Sequence, residues 1–182
     1  MKAPAQRWVL PAFLLAALLA AGLAGCASPS MAPALSGRLS VQVETPPGEP
    51  ARSLSANFEL AGNAERGSLS LSTPFGTTLA QARWSPQQVL LVTAQGQTPY
   101  ADLPDLTRKM LGEELPVAAL FDWLLGRPWP AAASEAAQPP AEAGFVQLGW
   151  QVTLARFDEG LIVARRIAPP AVTVRARMDA RP

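Results

Sequence analysis

The chain has 182 residues, with 15 Lys+Arg against 14 Asp+Glu, a single Cys and no His. Without His there is no Ser-His-Asp triad, no Cys-His pair, no H-E-x-x-H zinc site and no His general base, and one Cys leaves no internal disulfide and no multi-Cys metal centre. A formal charge of +1 gives no electrostatic ground for a nucleic-acid partner, the length suggests a single domain able to bury a real core, and the composition, 49% apolar, is only 16% charged.

Residues 1–25 read as a targeting segment. Lys2 and Arg7 precede an almost wholly apolar run from Leu10 to Ala24, the n- and h-regions of a secretory signal. The uncharged stretch from Trp8 to Cys26 falls just short of the about 20 apolar residues of a spanning helix, and Pro11, Gly22 and Gly25 interrupt it. Leu23-Ala24-Gly25-Cys26 resembles the lipobox of bacterial lipoproteins. That box needs a thiol to take a diacylglycerol through a thioether, and small residues before the cut. Cleavage leaves Cys26 as a lipidated N-terminus, and a multiply acylated Cys supplies the two membrane signals that stable anchoring requires. A plain secretory signal and an uncleaved helix are the competing readings; position and spacing favour the lipobox. Ala27, where an Asp would mean inner-membrane retention, points to the outer membrane. Cleavage removes two basic residues and leaves 13 basic against 14 acidic, a charge of −1, which by itself gives no support to a polybasic membrane patch. Residues 26–36 then form a lipidated, Pro-containing tether.

Period-2 alternation follows. Leu39, Val41 and Val43 share one strand face, with Arg38, Ser40, Gln42 and Glu44 opposite. Leu54, Ala56, Phe58 and Leu60 form the apolar face of a second strand that breaks at Gly62-Asn63. Leu69 and Leu71 alternate with serines in a third. Thr78, Ala80, Ala82 and Trp84 mark a fourth, and Val89 to Thr93 a fifth ending near Gln95-Gly96. Short turns between successive strands imply antiparallel pairing with one buried face. In the connection Ser72-Thr73-Pro74-Phe75-Gly76-Thr77-Thr78, Pro74 and Gly76 fit a type I turn that puts Phe75 at its tip. The ring either folds back on its own hairpin or meets an apolar surface such as a bilayer.

The period then becomes helical. Asp102 suits an N-cap with Pro104 in the first turn; Leu103, Leu106 and Met110 keep helical spacing, and Gly112 suits the C-terminal cap. A second helix starts near Pro116 with Val117, Leu120, Phe121 and Leu124 as its stripe. Trp123 and Leu125 widen the apolar arc to about 200°, twice the roughly 100° that packing on one sheet needs. Gly126 ends it, and Ala/Pro-rich residues 127–143 read as a long surface loop. Val146, Leu148, Trp150, Val152 and Leu154 read as one further strand. A turn at Asp158-Glu159-Gly160 precedes strands over 161–167 and 172–178, separated by Pro169-Pro170. The order is five strands, two helices and three strands.

No pattern in the chain argues for catalysis. Glu113-Glu114 reads as solvated surface between the helices, and Arg165-Arg166 and Arg175/Arg177 as a solvent face rather than an anion site. There is no G-x-S-x-G, P-loop or G-x-G-x-x-G. The aromatic residues Phe58, Trp84, Phe121, Trp123, Phe145 and Trp150 fall on buried-face or helix positions, as in an ordinary core. Together with the wide arc of the second helix they also suit an apolar pocket for acyl chains.

Taken together, several segments resemble the LolB family. They are the lipobox Leu23 to Cys26, Phe58-Glu59-Leu60, Gly67-Ser68-Leu69-Ser70-Leu71 leading into Thr73-Pro74-Phe75-Gly76, Leu111-Gly112, Leu115-Pro116, the run from Leu120 to Pro128, and Gly149-Trp150. The resemblance spans essentially the whole mature chain, with residues 37–182 as one lipoprotein-binding domain. It implies a mainly β fold with a helical insertion: a half-open antiparallel β-barrel covered by helices and enclosing an apolar cavity. It implies an outer-membrane receptor, anchored on the periplasmic side through Cys26. This receptor accepts lipoproteins from the periplasmic carrier LolA and inserts them into the inner leaflet of the outer membrane. No enzyme activity, cofactor or metal is implied, and the chain is expected to be a monomer. The membrane-insertion loop falls on Pro74, Phe75 and Gly76, with Phe75 where relatives commonly carry Leu. The acyl-chain cavity falls on Phe58, Leu69, Leu71, Trp84, Leu120, Phe121, Leu124, Trp150 and Val152. The loop 127–143 and the C-terminus from Met178 depart from the family pattern. The alternative function is a scaffolding outer-membrane lipoprotein whose apolar face is only core; a connected apolar cavity separates the two.

Overall fold

Alternating side chains build the first half of the fold as expected. The computed structural model describes residues 34–179, except 46, 47, 49 and 51. The signal segment, Cys26, most of the tether and the last three residues lie outside the described residues. Six strands come first: β1 (Leu35–Val43), β2 (Arg52–Gly62), β3 (Gly67–Ser72), β4 (Thr78–Ser85), β5 (Gln88–Thr93) and β6 (Gly96–Tyr100). Strand β1 begins two residues inside the expected tether. Leu39, Val41, Val43, Ala56, Phe58, Leu60, Ala82 and Trp84 are buried while the residues between them are exposed or half-buried, which is the period of a sheet with one core face.

Strand β6 does not appear in the sequence pattern. Its residues, Gly-Gln-Thr-Pro-Tyr, offer no apolar alternation, and Pro99 argues against a central strand. The structure resolves the conflict by placing β6 at the sheet's edge, where a missing N–H breaks no ladder.

Two helices follow, α1 (Leu103–Leu111) and α2 (Val117–Leu124). The Asp102 carboxylate accepts the Asp105 N–H at 2.7 Å, and Gly112, at φ 79°, closes α1 with its N–H on the Arg108 carbonyl. Leu103, Leu106 and Thr107 are buried, whereas Met110, the third member of the expected stripe, is half-exposed. The burying surface therefore ends before the helix's last turn. Thr107 ties the two helices together: its hydroxyl donates to the Pro104 carbonyl and accepts the Leu115 N–H at 3.0 Å. Six of the eight residues of α2 are buried, in keeping with its wide apolar arc.

Five strands complete the chain: β7 (Ser134–Ala136), β8 (Gly144–Gln147), β9 (Trp150–Thr153), β10 (Leu161–Arg166) and β11 (Val172–Met178). The three-residue β7 lies inside the stretch expected to be loop. The expected single strand from Val146 to Leu154 is a hairpin. Leu148 and Gly149, at φ 53° and 76°, form its two-residue turn, so Gln147 faces Trp150 across the ladder. The turn inverts the face: Phe145 and Gln147 are buried with Trp150 and Val152, and Val146 and Leu148 are exposed.

Among the described residues, the eleven strands form one antiparallel sheet in the order β6-β5-β4-β3-β2-β1-β11-β10-β9-β8-β7. The sheet is not closed; β6 and β7 are its edges, and both helices lie between them in chain order. Helix α2 touches both halves. Phe121 meets Trp84 of β4 edge-on at 5.8 Å, and Trp123 meets Phe145 of β8 and Trp150 of β9 at 6.4 and 6.2 Å. Such pairs add about 0.5–1.5 kcal/mol each beyond burial.

Candidate functional site

A cleft of about 960 Å³ opens beside these rings. Its walls are Trp84 with the β4–β5 turn, the entrance to α1 at Ala101–Pro104, the start of α2 at Leu115–Ala119, and Trp129, Leu148 and Trp150. The lining is mostly apolar, with Glu65, Asp102, Glu114 and Arg166 as its charged members. Trp84 is fixed by its indole N–H on the Asn63 carbonyl at 3.0 Å. Gly67 makes room for that indole: a methyl there would come within 2.6 Å of the Trp84 ring.

The nine residues expected to line an acyl-chain cavity separate into groups. Trp84 and Trp150 line the cleft. Phe58, Leu120, Phe121, Leu124 and Val152 are buried in the adjoining core, and Leu69 and Leu71 pack half-buried against it. Together they form one continuous apolar body.

Three residues that shape the cleft are invisible to the sequence pattern. Trp129 sits in the Ala/Pro-rich segment. Gln147, 2% exposed, anchors it: Oε1 accepts the Trp123 indole N–H at 2.8 Å and the Trp129 N–H at 2.9 Å. Nε2 donates to the Trp129 and Ala132 carbonyls, both at 2.8 Å. All four hydrogen-bonding positions of the amide are used. The third residue is Arg166. Neither it nor Glu113 is the solvated surface residue expected: the two form a largely buried ion pair. The guanidinium also donates to the Pro170 carbonyl and lies 5.7 Å from the centre of the Trp150 ring. Arg165 and Glu114 do remain on the surface; Glu114 pairs with Arg108, raising the arginine's pKa through that hydrogen bond and charge.

The β3–β4 connection forms a second apolar feature. The Gly76 N–H donates to the Thr73 carbonyl at 2.9 Å, closing the expected turn, and Gly76 adopts φ 83°. Thr73 and Thr77 are bonded through both backbone and hydroxyl, and Asn57 donates to the Thr73 carbonyl at 3.3 Å. On this braced tip Phe75 is 96% exposed. It does not fold back on its hairpin.

A family model described as "Outer membrane lipoprotein LolB" matches residues 33–179. Relatives named outer-membrane lipoprotein LolB align over most of their length. The Bordetella petrii protein is 35% identical over 170 residues, covering 85% of each chain. The Bordetella pertussis protein is 33% identical over 178 residues, 90% of this chain and 88% of its own. The Chromobacterium violaceum protein is 29% identical over 151 residues, 76% of this chain and 79% of its own.

Proposed function

Because the chain belongs to the LolB family of outer-membrane lipoproteins, we propose that its apolar cleft receives the acyl chains of lipoproteins handed over by the periplasmic carrier LolA. The protein is an outer-membrane lipoprotein receptor acting in lipoprotein localisation. Within that role, residues 1–25 are the signal peptide, Cys26 carries the lipid anchor and residues 26–36 tether the binding domain. The two helices between the sheet's edges serve as cover for its apolar face. The receptor acts as a monomer and by non-covalent transfer.

The single observation that carries the cleft assignment is its size and character: about 960 Å³ with a mostly apolar lining. Small-molecule sites run to roughly 1,000 Å³. An acyl chain that enters gains about 0.8 kcal/mol per buried CH₂. Trp84, Trp129 and Trp150 form the contact wall, and the core behind them, from Phe58 to Val152, gives way to admit longer chains. Phe75, held at the tip between Pro74 and Gly76, enters the bilayer and lets the cargo leave.

A lipopeptide with brominated acyl chains tests the cleft. Quenching of tryptophan fluorescence that saturates with lipopeptide and weakens when Trp84 and Trp150 are replaced by Phe is the expected result. Quenching unchanged by those substitutions would place the chains elsewhere.

A further inference from the structure

We propose that Arg38, Arg175 and Arg177 form a phosphate-binding face that docks the receptor on anionic phospholipid headgroups of the membrane anchoring it. The proposal rests on the lipid-anchor reading of Cys26 and the membrane-loop reading of Phe75.

The three arginines surround a depression of about 180 Å³ on the sheet's outer face, together with Ser40 and Ser55 and with no carboxylate in the lining. Arg38 of β1 and Arg177 of β11 stand directly opposite each other in the ladder. Like charges so placed repel, and a shared anion removes the repulsion. Arg175 gives one N–H to Gln42 at 3.0 Å. Glu159, whose charge Arg177 feels, is held by Arg156 through hydrogen bonds of 3.0 and 2.6 Å, and Asp179, two residues beyond Arg177, accepts the Ser36 hydroxyl at 3.0 Å. Guanidinium forks flanked by hydroxyls match the geometry and charge of a phosphate.

The position matches the ligand. Ser72, Asn57, Arg38 and Arg177 occupy one row across four strands and so share a face. Ser72 ends the strand that leads into the Phe75 loop, and Asn57 braces that loop through Thr73. Two strand spacings, about 10 Å, separate β1 from β3. Arg38 also follows Cys26 by only twelve residues, at most about 40 Å of extended chain. The basic face thus shares its row with Ser72, the last strand residue before the apolar tip. The ring would enter the acyl layer while the guanidiniums take the phosphates above it.

The test uses the lipidated receptor in vesicles. Thr77→Cys supplies a free thiol for an environment-sensitive fluorophore, and a lipid-borne quencher reads the fraction of molecules with the loop inserted. Phosphatidylglycerol in otherwise zwitterionic vesicles is expected to raise that fraction. Arg38→Gln and Arg177→Gln should each lower the inserted-to-free ratio about fivefold, and the two together about 25-fold. The effect should vanish near 1 M salt, where the screening length is about 3 Å. Both positions are exposed, so an unchanged urea midpoint confirms that folding is intact. If the double variant inserts like the unaltered protein while Phe75→Glu does not insert, the docking face is wrong and the loop reading stands. If Phe75→Glu inserts normally, the loop reading fails and takes this proposal with it. Loss confined to cargo uptake from the carrier would make the face a site for an acidic protein and overturn the proposal.

Discussion

A receptor carrying Phe75→Glu is expected to take up acylated cargo normally and to fail in releasing it to a membrane. The ring is 96% exposed on a turn whose hydrogen bonds lie in backbone, threonine and Asn57 groups, so its replacement removes no packing and no bond. The change in folding stability should stay within about 0.5 kcal/mol, as for ordinary surface substitutions. The membrane step is different. Burying a Phe side chain is worth about 2 kcal/mol, and a carboxylate at the same place reverses the sign of the interaction. Loss of the ring term alone lowers the delivery rate at least about thirtyfold. Phe75→Leu keeps the apolar tip and should keep most of the delivery. The check is release of labelled lipoprotein from the loaded receptor into vesicles. Normal release by Phe75→Glu would contradict the loop's role.

The largest expected loss of stability follows Gln147→Leu. Leucine is close to glutamine in size, so the volume is preserved and the cost is polar. Two N–H groups, from Trp123 and Trp129, lose their acceptor, and the carbonyls of Trp129 and Ala132 lose their donor. An orphaned buried polar group costs about 1–3 kcal/mol. Allowing for partial rescue by water at the cleft wall, the substitution should lower unfolding free energy by about 3 kcal/mol. Equilibrium unfolding in urea, read by tryptophan fluorescence, measures it. A loss under about 1 kcal/mol would mean that the amide is not the tie between α2, the following segment and the β8–β9 hairpin. The same substitution should loosen Trp129 and weaken acyl-chain binding more than Trp84→Phe does.

The parts of the fold that burial alone dictates are legible in the sequence. Leu39-Val41-Val43 and Ala56-Phe58-Leu60 alternate because one sheet face is wet and the other dry, and the structure follows them residue by residue. The cap residues Asp102 and Gly112 are equally direct, since each satisfies backbone groups that the helix itself cannot. The edges are not legible. Strands β6 and β7 bury little, so nothing in their residues needs to alternate, and only the ladder identifies them.

The β8–β9 hairpin shows a different limit. Val146, Leu148 and Trp150 alternate as one strand would, but Gly149 allows a positive φ and the chain reverses there. Leu148 adopts φ 53°, which an L side chain resists, so only tertiary packing decides the turn. The buried face then belongs to Gln147, a residue that periodicity assigns to solvent. Arg166 and Glu113 fail for a related reason. Each is polar and reads as surface, and their burial depends on a pairing across 53 residues. Phe75 lies at the other extreme: a Pro-Phe-Gly turn fixes the ring at the tip, and the remaining question of direction is settled by its exposure.

Transfer without an energy source requires that the cargo bind this receptor more tightly than it binds the carrier. The most direct measurement mixes a fluorescent lipoprotein on its LolA carrier with the receptor and follows the label by size separation. The proposed handover predicts that the label moves to the receptor in a one-to-one complex without nucleotide or metal. A label that stays on the carrier at excess receptor would contradict it.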